Sequence, residues 1–127
     1  MIYLLYVLKY LKTELNKFSP RVYHENAKEN ALFPYVVFNL PSSTIPENDS
    51  EVVVLEIDIW DYSRDGYDAT VGVEVLTNRV SEFFKYNRTL NEDYLMIFTK
   101  LNEFSLKDPD PNIKRKQLRY SIKYYKT

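Results

Sequence analysis

The amino-acid sequence predicts an α+β fold: a two-layer α/β sandwich with a mostly antiparallel sheet of four to five strands and two helices on one face. Three observations point there. Between Glu51 and Phe84, a long alternating strand turns through Asp65 and Gly66 into an amphipathic helix. The chain opens on an apolar stripe of helical period and closes on two further alternating segments. With 127 residues, one domain spanning 1–127 is expected, hiding roughly two thirds of the surface of the unfolded chain.

The first helix is expected from Ile2 to Lys17, because Leu4, Leu8, Leu11, Leu15 and Phe18 recur at spacings of four and three. Ser19-Pro20 ends it. Arg21 to His24 is a short strand candidate, and Tyr35 to Leu40 is a stronger one, being β-branched and aromatic. Pro41 to Ser50 reads as a polar loop. In the next strand Val53, Leu55, Ile57 and Ile59 share one face, and Val52, Val54, Glu56, Asp58 and Trp60 the other. Asp65 is the expected cap of the second helix, with Asp68 three positions on. Ala69, Val73, Leu76, Val80 and Phe83 form its inner stripe, widened by Val71, Val75 and Phe84. Each large side chain buried there contributes roughly 1.5–3 kcal/mol. Asn87 is the expected left-handed terminator. Asp93 to Phe104 and Lys114 to Tyr125 read as the last strands, parted by a turn around Pro109 and Pro111.

Composition narrows the function. Lys and Arg (17) nearly balance Asp and Glu (18), so the long-range field that attracts nucleic acid is missing. Cysteine is absent, which removes thiol chemistry and disulfides and makes intracellular folding the simpler expectation. The apolar run Met1 to Leu8 is too short to span a bilayer and lacks the plan of a signal peptide. The sequons at Asn48 and Asn87 are then expected to stay unmodified.

Few residues suggest catalysis. Glu56 and Asp58 lie two apart on one strand face, about 6.6 Å between Cα atoms, near the spacing of an inverting glycosidase, and Trp60 beside them could stack on a sugar. The competing reading is a solvated sheet face. His24 is the single histidine, so neither a multi-histidine metal site nor an imidazole pair can be built. Ser42, Ser43 and Thr44 lie in a turn-forming stretch without a nearby base. Gly66 and Gly72, the two glycines, belong to no phosphate-cradling motif. No cofactor or metal is expected.

Contacts are better represented than chemistry. If both helices cover one sheet face, Val52, Val54 and Trp60 are left for a second subunit or for the first strands folding back over them. Lys114, Arg115 and Lys116, continued by Arg119, Lys123 and Lys126, read either as protection of a strand edge or, as the lesser alternative, as a phosphate-contacting strip. Tyrosine occurs 12 times, compatible with strand preference and with aromatic subunit contacts.

The runs FPYVVFNLPSS, VVVLEIDIWDYSRDGYDA and TVGVEVLTNRVSEFF, with the returning strand KQLRYSIKYY, resemble the tail-terminator or tail-completion proteins of long-tailed bacteriophages and prophages. The likeness spans Leu32 to Tyr125. It implies a small α/β sandwich that assembles as a hexameric ring at the head-proximal end of the tail tube, stops tube growth and joins the filled head. By that resemblance the chain is a structural protein rather than an enzyme, located in the virion tail and in the host cytoplasm during assembly. Its partners would be copies of itself, a tail-tube protein and a head-connector protein, with no membrane and no specific nucleic-acid binding. Trp60 and Asp61 match the strand-end pattern. The acidic loop Glu47, Asp49 and Glu51 would pair across the ring with Lys114, Arg115 and Lys116. The alternatives are another head–tail joining protein, and a small carbohydrate-active enzyme using Glu56 and Asp58.

Overall fold

The computed structural model describes residues 2–43, 50–85, 87–90 and 94–126. Helix α1 (Ile2–Leu15) leads into β1 (Val22–His24), β2 (Tyr35–Ser43) and β3 (Ser50–Tyr62); helix α2 (Ala69–Phe84) follows, then β4 (Arg88–Leu90), β5 (Tyr94–Lys107) and β6 (Ile113–Lys126). The strands form one sheet of order β1-β2-β3-β6-β5-β4. It is α+β, as expected, but has six strands, and β1 pairs parallel to β2. The extra strand is β4, whose three residues are too few to show a period.

Both helices pack on the same sheet face. Val53, Leu55, Ile57 and Ile59 of β3 join Leu118, Tyr120, Ile122 and Tyr124 of β6, Val36 and Phe38 of β2, and Met96 and Phe98 of β5. Over them lie Val7, Leu11 and Leu15 of α1 and Val73, Leu76, Val80 and Phe84 of α2. The turn that follows α1 meets α2 edge-to-face at Phe18 and Phe83, 5.4 Å between ring centroids. Helix α1 also touches both ends of the sheet. Lys12 donates to the Val22 carbonyl on β1, while the Tyr10 hydroxyl lies 2.9 Å from Thr89 Oγ1 on β4. The sheet is therefore curled, with its two outermost strands drawn toward one helix.

Local chemistry sets the element ends. Tyr67 N–H donates to Arg64 O at 2.8 Å across a turn in which Gly66, at φ 77, takes the left-handed place that a Cβ disfavours. Asp68, rather than Asp65, caps α2: its carboxylate accepts from Thr70 N at 2.9 Å, and Ser63 Oγ accepts from Ala69 N at 3.0 Å. The helix ends at Lys85, which is extended and whose N–H reaches Ser81 O. Val71 and Val75 are exposed, at 61% and 54%, because the stripe facing the sheet is narrower than the hydrophobic pattern suggested. The expected loop from Pro41 begins later, since β2 continues to Ser43; Thr44, Glu47 and Asp49 lie outside the described residues.

Candidate functional site

The helix-free face of the sheet can be read in rows across the register. Tyr35, Trp60, Arg115 and Leu106 make one row; Val37, Asp58, Gln117 and Phe104 the next; Asn39, Glu56, Arg119 and Asn102 the third. Trp60 centres the first. Its ring is stacked on Tyr35 at 5.8 Å and 19°, with the Arg115 guanidinium 4.4 Å from its centroid. Phe33 extends the cluster, 5.1 Å from Tyr35 and 5.7 Å from Tyr62. Burial raises the Tyr35 pKa, and the Arg115 charge works against that shift. Trp60 Nε1 is buried without a hydrogen-bond partner.

In the second row Asp58 Oδ1 accepts from Arg115 Nη2 at 3.0 Å, Arg115 Nε at 3.2 Å and Gln117 Nε2 at 3.0 Å. Val37, Asp58 and Gln117 are only 8–9% exposed although no helix among the described residues covers them; Arg115, bonded to Asp58 and set over Trp60, joins their rows. Val52, Val54 and Trp60 are half-buried, and the first strands, β1 and β2, lie in the same sheet beside β3, so the expected internal cover of this face by those strands is not formed. In the third row Arg119 Nε lies 3.4 Å from Glu56 Oε2, without hydrogen-bond alignment.

Each acid of the proposed carboxylate pair faces a guanidinium, and among the described residues the hollows beside α1, beside α2 and at the β5–β6 turn are lined by neither Glu56 nor Asp58. His24 is exposed and stacks on Phe38 at 5.1 Å. Ser42 and Ser43 end β2. Among the described residues, no group of three His, Cys, Asp or Glu side chains converges as a metal site, and no helix is long and apolar enough to cross a membrane.

Alternation separates the basic run. Arg115 lies on the open face, while Lys114 and Lys116 point to the helix side. Lys116, its side chain 12% exposed, bonds Glu74 of α2 and lies 3.0 Å from Glu103 Oε2; its pKa is raised, first by the bond to Glu74. Glu103 is held below the usual carboxylate range, first by the hydrogen bond from Lys100. A single phosphate-contacting strip is thus not formed. Glu51, expected in the acidic loop, is instead buried in β3 at 3% and accepts from the Tyr124 hydroxyl at 2.7 Å, so it does not reach out to a neighbour. Asp61 is 1% exposed and takes the Tyr67 hydroxyl, which raises the Tyr67 pKa.

Sequence reasoning did not pair Phe33 with Tyr35 and Tyr62, nor Gln117 with Asp58. The alternation in β3 and β6 carried a faint signal, since both lie at outward positions.

No protein family's sequence profile matches the chain, and no curated protein matches it. Among solved structures, a chain from the virion of the native gene transfer agent particle has a similar fold, with a TM-score of 0.60 and 12% sequence identity over 87% of this chain and 84% of that chain. At that identity the shared property is the α+β fold.

Proposed function

We infer that this chain is a structural protein of a phage-like virion, a tail terminator that forms a ring, caps the tail tube and joins it to the head. The observation that carries this reading is the fold shared, along most of both chains, with a component of a gene transfer agent virion. The open sheet face supports it. Its stacked aromatics and half-buried valines are suited to contact, and its carboxylates are already paired with guanidinium groups. The partners are further copies of the chain, six to a ring, with a tail-tube protein on one side and a head-connector protein on the other. The protein works in the virion tail after assembly in the host cytoplasm, by shape and without a reaction. Arg115 and Lys114, with Glu47 and Asp49, remain the proposed charge contacts between neighbours.

Electron microscopy of the purified protein, alone and mixed with phage tail tubes, tests the reading. Rings that cap tube ends are expected. A protein that forms no ring and leaves tube length unchanged overturns it. Binding to the portal side without binding to tubes assigns it instead to another head–tail joint.

A further inference from the structure

Strand β5 is fourteen residues long, yet its outer neighbour β4 pairs only Leu95, Met96 and Ile97. From Thr99 to Lys107, no described residue hydrogen-bonds to its outer edge as a strand. Leu101 is 50% exposed there and Phe104 36%. A long unpaired edge with apolar residues invites strand addition, and native proteins ordinarily blunt it.

The backbone groups that face outward can be identified. Phe98 N–H donates to Asn87 O, away from β6, and Phe98 stands opposite Ile122. Past the bulge at Leu101, Glu103, Ser105 and Lys107 stand opposite Leu118, Lys116 and Lys114, which have the same parity in β6 as Ile122. Those three residues therefore also turn their N–H and C=O groups outward.

We propose that this edge pairs with the same edge of a second copy, antiparallel and centred on Ser105. In that register Ser105 meets Ser105, Glu103 meets Lys107 twice, and Phe104 meets Leu106 twice. Hydrogen-bonded pairs then fall on Glu103–Lys107 and Ser105–Ser105, and the closer non-bonded pairs fall on Phe104–Leu106, as antiparallel geometry requires. Charge and apolar patterns agree with the backbone phase in this one register. A second complementarity comes from the same placement. The acidic turn with Asp108 and Asp110 is carried toward a hollow of about 660 Å³ between α2 and β5, whose charged lining is Lys85, Arg88 and Lys100 against one acid, Glu82. A dyad contact closes on itself, so it yields dimers, not rings, and stands independently of the virion reading.

Sedimentation equilibrium over a wide protein concentration range tests it. The wild-type chain is expected to show a monomer–dimer equilibrium. Ser105→Pro removes the central outward N–H without touching a bond to β6, and is expected to abolish dimers at every salt concentration. Lys107→Glu places like charges opposite each other twice and is expected to raise the dissociation constant about tenfold at low salt, less at high salt. Thermal unfolding of both variants shows that the monomer is intact, and amide exchange at Glu103, Ser105 and Lys107 should slow as wild-type concentration rises. A wild-type chain that stays monomeric, or an association unchanged by both variants, overturns the proposal. So does binding only of a foreign extended segment at this edge.

Discussion

Gly72 shows how one residue holds a turn to a helix. A Cβ there would run into the Tyr67 hydroxyl and lie 2.7 Å from Asp61 Oδ2 and 3.1 Å from Tyr67 Cζ, so the backbone of α2 approaches the buried Asp61–Tyr67 bond as closely as it can. Gly72→Ala gains about 0.5–1 kcal/mol of helix propensity, but overpacking costs about 1–3 kcal/mol. The expected outcome is net destabilisation in urea unfolding. Gly72→Ala with Tyr67→Phe should be less destabilised than the sum of the singles, since the second change removes the clashing oxygen. The clash could not be read from the sequence, because Asp61, Tyr67 and Gly72 are near in the chain but are brought into contact by the turn. That Asp61 lies on the same face as Ile59 was open to alternation; its burial under α2 was not.

At the scale of elements, the cap and the ion-pair bridge make separate statements. Asp68→Ala removes the acceptor for Thr70 N and should cost about 1 kcal/mol, whereas Asp65→Ala should be nearly silent, measured by the same unfolding curves. Between α2 and the β5–β6 hairpin, Glu103 links Lys100 at 2.7 Å and Lys116 at 3.0 Å. A carboxylate whose pKa is lowered on folding stabilises above its unfolded value, and that contribution is lost as pH falls through the folded value. Glu103→Gln should therefore unfold more readily than wild type at neutral pH, and the gap should narrow as acid protonates Glu103. Equal gaps at neutral and strongly acidic pH would mean that the bridge is not electrostatic. The helix and the three long strands were legible because periodicity is local. Strand β4 was not, being held by pairing to Leu95, Met96 and Ile97 rather than by any pattern of its own.

For the whole molecule, the open face is where folding and assembly can be separated. Val54 is half-buried beside Ser121, outside the Trp60 and Asp58 networks. Val54→Lys should change monomer stability by no more than about 1 kcal/mol, as a substitution near the surface, while ring formation scored by electron microscopy fails. Rings formed as readily as by wild type would remove this face from the assembly contact. The sequence by itself determined the α+β class, the single sheet under two helices, the inward set Val53, Leu55, Ile57 and Ile59, and the near-neutral charge, because residue period and composition act along the chain. Only the tertiary structure decided that Asp58 receives Arg115 and Gln117, that Glu51 and Lys116 are engaged within the monomer, and that no described strand pairs the outer edge of β5 from Thr99 to Lys107. Those depend on register between strands some sixty residues apart, which is set by how the helices fill the curled sheet and not by any neighbouring residue.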